Sequence, residues 1–411
     1  MDNHFSKTNI PSWPLIILLF TSVDTNLFGT NADKTYLFIP RILSAIAIII
    51  LPIMKTGNPR KIIINWKELL ILIFMLSIMS ISTLINREPM ETYLSRIVVV
   101  ILAYVICRAY SIRQFANVFD CFIFIVSIFN IITEVMAYIT PNLLRKLPAF
   151  TNTAGYTFYS YIIGGISTAN GNLNSLLIRG QGILWEPGAY AIYLVFALLF
   201  QLFVFETSNY KRIFLYILCL IITFSTTGYL SFLVLIIGFL MSKRTSNMSK
   251  WLKNIFILFA ILIAIAIVIL DTSLIYDTVF SKLTNGTSGA TTRYSSFFNG
   301  IKVAFDHPLF GVASDSSQYM AEYVFSDGSI FNNGGTSITN TVVAQYASYG
   351  LIFGTMFLLG TLRYLLLISK SKFEWFFLCL TIMMTYFGEK FFSFFPFVFV
   401  FYGLCKKEEI I

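Results

Sequence analysis

Long runs of apolar residues, separated by short polar stretches, recur along the whole chain. A helix needs about 20 residues to cross the roughly 30 Å hydrocarbon core of a bilayer, and most of these runs approach that length. The pattern therefore predicts about twelve membrane-spanning helices in a single integral membrane domain over residues 1–411. Their expected ranges are 13–29, 36–54, 67–85, 93–110, 116–139, 188–206, 211–224, 226–242, 252–270, 341–368, 373–387 and 389–404.

Some of these boundaries allow a second interpretation. The spans that meet around residues 225–227 and 388–390 fit one broken or re-entrant segment as well as two separate helices. The first span is the weakest, because Asp24 interrupts it. A cleavable signal peptide is not expected, because the early apolar run lacks a small-residue cleavage site and further spans follow.

The amino-acid composition supports this interpretation. Of the residues, 57% are hydrophobic and only 12% are charged, whereas a soluble domain has about 25% charged residues. We therefore expect an all-α polytopic membrane protein without a sizeable soluble domain.

The positions of lysine and arginine predict the orientation. With the spans above, 17 of the 29 basic residues fall in short connections on one side of the membrane. Basic residues in short loops favour the cytoplasmic side, so both chain termini should be cytoplasmic. The net charge of +9 is explained by this anchoring, and a nucleic-acid partner is not expected. The 17 residues are Lys7, Lys55, Arg60, Lys61, Lys67, Arg108, Arg113, Lys211, Arg212, Lys243, Arg244, Lys250, Lys253, Lys370, Lys372, Lys406 and Lys407.

Cysteine labelling tests this orientation. In a chain stripped of its native cysteines, a membrane-impermeant reagent added outside should label a single cysteine at Ser167 or Ser288. A cysteine at Ser246 should stay unlabelled until the membrane is opened, because it lies in a predicted cytoplasmic loop. Labelling of Ser246 from outside would reverse the predicted topology.

Two long connections, residues 140–187 and 271–340, should lie on the opposite, external face. Both are rich in Gly, Ser, Thr, Asn and Tyr, as in "FTNTAGYTFYSYIIGGISTANGNLNS". These side chains can form hydrogen bonds with hydroxylated ligands and stack on sugar rings, although ordinary solvated loops have a similar composition.

The second connection contains a predicted amphipathic helix over residues 292–305. Its apolar positions, Tyr294, Phe297, Phe298, Ile301 and Phe305, recur at helical spacing and should face the membrane domain. Asp306, His307 and Pro308 should end it, because proline cannot continue a helix. Arg293 lies in its first turn, where the guanidinium and the free backbone N–H groups together suit a phosphate.

In the first connection, "LLIRGQGILWEPGAYAIYL" places Arg179 and Glu186 just before the sixth span. Pro187 fits the first turn of that helix. Glu186 could interact with the positive end of the helix or pair with an arginine. Arg179 could be an interfacial cation whose stem lies along apolar surface.

Other kinds of site have little support. Cys107, Cys121, Cys219 and Cys379 fall inside predicted spans, and Cys405 lies at a cytoplasmic end, so no disulfide framework is expected. The chain has only two histidines and no metal-binding motif of the CxxC or HExxH type, so neither a metal nor another cofactor is expected. A Gly-rich nucleotide-binding loop of the Walker type is also missing from the sequence.

The order of four motifs resembles the bacterial O-antigen polymerase and ligase superfamily. The motifs are the "R…G…EP" stretch, "FSTTGYLSFL", "TRY…HPLFGV" in the large loop, and "TNTVVAQYASYGLIFG". They extend from residue 179 to about residue 360, and the predicted topology extends the resemblance over the whole chain. Each motif alone is weak, but their order and spacing are moderately specific.

The resemblance implies a GT-C-like membrane glycosyltransferase that acts at the external face of the bacterial cytoplasmic (inner) membrane. Its donor would be an oligosaccharide on undecaprenyl pyrophosphate. The arginines that hold the pyrophosphate in this family match Arg179 and Arg293, and Tyr294 and Asn340 are expected to contact the substrate. Expected partners are this lipid-linked oligosaccharide, membrane lipid, a chain-length regulator protein and a flippase.

The expected chemistry requires stabilisation of a departing pyrophosphate and removal of a proton from an acceptor hydroxyl. Arg179 and Arg293 would serve the first need, and Glu186 is the first candidate for the catalytic base. Asp306, Asp315 and Glu322 are weaker candidates. His307 is interpreted as a residue that ends the helix.

Three candidate functions differ in what happens to the glycan. Ligases, which transfer the glycan to lipid A core, have a histidine where this chain has Thr339, so a polymerase of repeat units is favoured and a ligase is the second choice. A flippase or transporter for the same lipid-linked sugar is a third reading. Polar residues within or near the spans, such as Asp24, Arg96, Asp120 and Glu134, could line its path.

Overall fold

The computed structural model describes residues 11–22, 25, 35–56, 65–144, 146, 149–151, 156–160, 165–169, 179–242, 244, 257, 289–314, 338–391 and 393–405. The described part is mostly helical. Five helical stretches are long and apolar enough to cross a membrane: Trp66–Asn86, Met90–Ala109, Ile112–Ile139, Pro187–Val204 and Thr341–Ile368. The protein is therefore a membrane-embedded, mainly helical chain. The expected number of twelve spans is not confirmed.

The chain divides into two compact units. The first unit consists of Met1–Ile73, Val99–Thr223 and Phe392–Lys407, and the second of Phe74–Val98, Phe224–Phe391 and Glu408–Ile411. Two of the boundaries between the units fall inside the helices Trp66–Asn86 (α3) and Met90–Ala109 (α4).

The first unit contains most of the N-terminal half of the chain. Its helices are α1 (Trp13–Phe20), α2 (Thr35–Thr56), α5 (Ile112–Ile139), α6 (Pro141–Leu144), α7 (Pro187–Leu199), α8 (Tyr210–Ile222) and α13 (Phe395–Cys405). A π-helix, Phe200–Val204, continues α7. The predicted first span, 13–29, is wrong in its extent, because α1 has only 8 residues and is too short to cross a bilayer.

The core of the first unit surrounds α7, whose residues from Ala189 to Leu199 are all almost completely buried. A helix that is apolar on every side belongs in the centre of a bundle. Rings from α5 and α13 pack against it: Phe395 of α13 stacks on Phe119 of α5 at 4.7 Å between ring centroids and meets Phe196 of α7 edge-on at the same distance. Because lipid is as apolar as these rings, close packing rather than removal from water stabilises the contact.

A four-stranded antiparallel sheet occupies part of the connection that was predicted as external loop 140–187. Its strands are β1 (Ala149–Thr151), β2 (Tyr156–Ser160), β3 (Gly165–Ala169) and β4 (Arg179–Gly182), in that order across the sheet. In the pairing of β3 with β4, the register shifts between Gly165 and Ile166. The expectation of an all-α chain is therefore corrected: this segment pairs its backbone in a sheet.

The second unit contains α9 (Thr226–Leu240), α10 (Gly289–Asp306), α11 (Thr341–Ile368) and α12 (Lys372–Gly388), besides parts of α3 and α4. Helices α9 and α12 approach closely at Gly238, where a Cβ atom would lie 2.4 Å from Cβ of Phe377. Small residues permit such close packing between membrane helices. Helices α8 and α9 are separate, as are α12 and α13, but their lengths of 13, 15, 17 and 11 residues fit a broken or re-entrant segment as well as two spans, so both interpretations stand.

The amphipathic helix predicted over 292–305 is confirmed as α10, which ends at Asp306 as expected. Phe297 and Ile301 pack against a cluster that includes Val303, Val343 and Ala347. Phe298 and Phe305, however, are 55% and 68% exposed, so the predicted apolar face is only partly correct. A membrane protein can leave large apolar side chains on its outer surface. The predicted span 252–270 lies outside the described residues, apart from Ile257.

Helix α11 is broken at Gly350, which has φ 86° and ψ 177°. The freed backbone groups bond instead to the turn after α10: Leu351 N donates to Pro308 O at 2.7 Å, and Val312 N donates to Ala347 O at 2.9 Å. A Cβ atom at Gly350 would lie 2.5 Å from the backbone of Leu309. The break and the turn therefore fix each other.

Alanine at Gly350 should destabilise the protein, because the backbone angle favours glycine and the new methyl group would collide with main-chain atoms. We expect a loss of about 2 kcal/mol or more in the free energy of unfolding. Thermal unfolding in detergent measures it, with the exposed Thr355→Ala in the same helix as the control. Equal melting temperatures for the two variants would show that the break is not required.

Candidate substrate-binding site

The structure places the predicted site residues in both units. Arg179 and Glu186 belong to the first unit, where one begins β4 and the other precedes α7. Arg293 and Tyr294 belong to α10 in the second unit, and their side chains lie outside the described part of the structure. Asn340 is also in the second unit, at the start of α11.

Arg179 is held by the end of a neighbouring helix. Its Nε donates to the carbonyl oxygen of Thr223, the residue that follows α8, at 3.0 Å. The carbonyl end of a helix carries partial negative charge, which attracts a guanidinium. The backbone of Arg179 pairs with Ser167 of β3. Strand pairing and this hydrogen bond therefore fix both the position and the plane of the guanidinium.

Glu186 is the N-cap residue of α7, and Pro187 occupies the first turn as predicted. Its backbone is extended and its side chain makes no capping hydrogen bond. Among the described residues, the carboxylate has no hydrogen bond or ion pair, and the residue is only half-buried. The interpretation of Glu186 as a carboxylate that caps its helix therefore finds no support in the geometry, and the group remains accessible for binding or proton transfer.

Three buried polar residues lie on β4 and on the neighbouring helix α5. Asn130 of α5 accepts a hydrogen bond from Gly182 N at 2.9 Å, and a Cβ atom at Gly180 would lie 2.8 Å from Asn130 Nδ2. Glycine in β4 thus lets the strand lie directly against the asparagine. Glu134, one helical turn beyond Asn130, and Gln181 of β4 are also buried.

Five polar atoms of these three side chains have no hydrogen-bond partner in the part of the protein that the structure describes. They are Asn130 Nδ2, both carboxylate oxygens of Glu134, and both amide atoms of Gln181. A buried polar atom without a partner costs about 1 to 3 kcal/mol. A ligand with several hydroxyl groups would satisfy such atoms, because each hydroxyl both donates and accepts. Sequence reasoning noted Glu134 only as a residue that a transporter would use, and it missed Asn130 and Gln181.

In the second unit, Asn340 is the N-cap of α11. Its side-chain oxygen accepts from Val343 N at 2.9 Å, and the residue is buried. Thr339, at the position where ligases have histidine, bonds to Ser296 Oγ through its backbone N–H at 2.7 Å and through its hydroxyl at 3.2 Å. These bonds join the start of α11 to α10. Because its side chain caps α11, Asn340 has a structural role in addition to its predicted contact with substrate.

The weaker candidates are distributed differently. Asp306 ends α10, and His307 N donates to Val303 O at 2.9 Å, so His307 follows the helix end as predicted. Asp315 and Glu322 lie outside the described residues. In the described part of the chain, no group of three or more His, Cys, Asp or Glu side chains could hold a metal ion.

A scan against protein-family models finds no match to the chain, and a search of curated proteins finds no significantly similar sequence. The residues of the site and the order of the motifs are therefore the features that point to a function.

Proposed function

We propose that the protein is a membrane-embedded glycosyltransferase that polymerises oligosaccharide repeat units carried by undecaprenyl pyrophosphate. The main support is a group of five buried polar atoms without a hydrogen-bond partner among the described residues, three on α5 and two on β4, the strand that also carries Arg179. Buried polar atoms without partners are costly and need a reason. When a lipid-linked glycan binds beside Arg179, the sugar hydroxyl groups form hydrogen bonds with these atoms. The pyrophosphate of the same donor binds the arginine.

The proposed reaction forms a bond between an acceptor hydroxyl oxygen and the anomeric carbon of the donor. The bond from that carbon to the pyrophosphate oxygen breaks, and the electron pair leaves with the pyrophosphate. Arg179 and Arg293 stabilise this departing charge. Glu186 takes the proton of the acceptor hydroxyl, which its lack of a capping bond supports.

The cellular setting follows from the same proposal. The enzyme would lie in the bacterial cytoplasmic membrane with both termini in the cytoplasm, and polymerise at the external face. A chain-length regulator and a flippase that supplies the donor would be its partners. The product would be O-antigen, capsule or exopolysaccharide.

A flippase is the second candidate, because Glu134 is a carboxylate inside a span with no hydrogen-bond partner among the described residues. Ionisable groups at such positions commonly line transport paths. A ligase remains the alternative enzyme, although Thr339 occupies the position of its histidine.

Purified protein incubated with a synthetic polyprenyl-pyrophosphate oligosaccharide separates these functions. We expect a ladder of products that differ by one repeat unit. One transfer to added lipid A core would indicate a ligase. Movement of intact substrate across proteoliposomes without a new covalent bond would indicate a flippase and refute the polymerase.

A further inference from the structure

A second polar site lies at the other end of α5, away from β4. It is a cavity of about 300 Å³ bounded by the start of α5, the π-helix and the start of α8. Its charged side chains are Arg113, Asp120, Glu206 and Arg212, and the amides of Asn117, Gln201 and Asn209 also line it. We call it the α5–α8 pocket. None of these residues enters the proposed polymerase chemistry.

Asp120 anchors the pocket. This buried carboxylate accepts hydrogen bonds from Gln201 Nε2 and from the Tyr216 hydroxyl, each at 2.8 Å, and from Nη1 of Arg212. The guanidinium of Arg212 also lies 4.7 Å from the centre of the Phe124 ring. Arg212 is therefore held on one side by a carboxylate and on another by a ring face, which positions it without a ligand.

The π-helix builds the opposite wall. Its Gln201 carbonyl accepts from Ser208 Oγ at 2.8 Å, and its side-chain oxygen accepts from Asn209 N at 2.9 Å. One glutamine thus joins Asp120 to the connection before α8. π-helical turns are rare and occur mostly at functional sites. The wall is accordingly a fixed structure, which a binding pocket requires.

The charges of the pocket balance. Arg113 and Glu206 form an ion pair of 2.8 Å, with side chains that are 48% and 76% exposed, at the open side of the cavity. Such an exposed pair contributes little to stability and opens readily. Two arginines and two carboxylates line the cavity, so a compact multiply charged anion would meet repulsion as well as attraction. A ligand with one phosphate and one cation matches both signs.

An apolar stripe leads away from the polar lining. Arg113, Asn117 and Asp120 recur at helical spacing on α5, and the same face continues through Phe124, Ile128 and Val135. Ile128 and Val135 are 38% and 50% exposed. Polar groups at the end of a membrane helix followed by exposed apolar side chains match the headgroup and chains of a lipid.

We infer that the α5–α8 pocket binds a phospholipid whose headgroup carries a phosphodiester and a primary ammonium, as in phosphatidylethanolamine. The phosphate meets Arg212 and Arg113, the ammonium meets Glu206, and an acyl chain lies along the apolar stripe of α5. In the orientation predicted from the basic residues, this lipid belongs to the cytoplasmic leaflet.

Native mass spectrometry of the full-length protein tests this inference. Phosphatidylethanolamine, phosphatidylcholine and phosphatidylglycerol with identical acyl chains are added to delipidated protein. We expect about tenfold tighter retention of phosphatidylethanolamine, which corresponds to about 1.4 kcal/mol. Phosphatidylcholine cannot donate a hydrogen bond to Glu206, and phosphatidylglycerol has no cation. Tighter binding of phosphatidylglycerol would overturn the zwitterion inference in favour of a simple anion site.

Glu206→Gln should reduce this preference to about threefold or less, because it removes the carboxylate that meets the ammonium, whereas Arg113→Gln should weaken all three lipids by about threefold, because each of them carries a phosphate. Both residues are exposed, so the variants should fold. Lys211→Gln, a neighbouring basic residue outside the pocket, should retain the full preference. An unchanged preference in Glu206→Gln together with unchanged lipid affinity in Arg113→Gln would refute the site. Inorganic phosphate or glycerophosphoethanolamine that competes as strongly as intact lipid would refute the role of the acyl stripe.

Discussion

Alanine in place of Arg179 or Arg293 is expected to abolish polymer formation while leaving membrane insertion intact. Each arginine would stabilise the departing pyrophosphate, and loss of one such donor typically lowers a rate by two to three powers of ten, roughly. Lysine should restore activity only in part, because it offers a point charge where arginine offers a planar pair of donors. The measurement is the chain-length ladder at equal protein levels.

One of these variants, Arg179→Ala, should also be slightly less stable. Arg179→Ala also removes the bond to Thr223 O, which should lower the free energy of unfolding by about 1 kcal/mol. This loss is far too small to abolish activity. Lys146→Ala, in the same connection, and Lys302→Ala, on α10, serve as matched controls that remove a basic residue without affecting the ladder.

The double variant gives the sharper result. If both arginines act on one pyrophosphate, Arg179→Ala with Arg293→Ala should be scarcely worse than either single variant, because residues that work as a unit are not additive. Full activity of both lysine variants would contradict the pyrophosphate role and favour interfacial anchoring or transport.

Glu186→Gln should lower turnover by roughly two to four powers of ten, the usual size of a general-base effect. Donor affinity and thermal stability should change little, because the carboxylate caps no N–H group and the residue is half-buried. Glutamine keeps the shape of the side chain and removes its ability to accept a full proton. Single-turnover assays at saturating donor separate this effect from binding.

Glu91→Gln, an exposed carboxylate in the first turn of α4, provides the matched control and should be fully active. Near-normal ladders from a well-folded Glu186→Gln protein would exclude Glu186 as the base. A fall in stability with normal turnover per folded molecule would instead identify a purely structural residue.

Much of the helical framework follows from the sequence because the length of an apolar run sets the length of a span. The predicted span 341–368 has the same bounds as α11, and 67–85 lies within α3. The break at Gly350 was not predicted. It depends on a contact with Leu309, 41 positions earlier in the chain, which periodicity along one helix does not reveal.

The sheet was missed for a different reason. A strand with one buried face shows alternating apolar and polar residues, whereas β3 and β4 read GISTA and RGQG, with little apolar material. Their pairing relies on the backbone and on glycine, which lets β4 lie against Asn130. Such a segment has the composition of a loop.

The sequence pattern also did not indicate the two buried amide side chains of the site. Asn130 and Gln181 are single uncharged residues among apolar or small neighbours, and neither changes the local pattern. The available signal was the spacing of Asn130 and Glu134, four positions apart and so on one face of a membrane helix. The arginines, in contrast, stand out because charge near a span is unusual.

The position of the break in α11 also indicates how deep Gly350 lies in the membrane. The section from Leu351 to Ile368 is about 27 Å long at 1.5 Å per residue, close to the roughly 30 Å thickness of the hydrocarbon layer. When this section fills the layer, Gly350 lies level with the lipid phosphates, and the section Thr341–Tyr349 extends up to about 14 Å beyond them. A lipid-linked donor keeps its polyprenyl tail inside the layer and its pyrophosphate at the same level as Gly350. On the proposed function, the glycan would therefore grow in water outside the hydrocarbon layer, while its lipid end stays at the depth of the break.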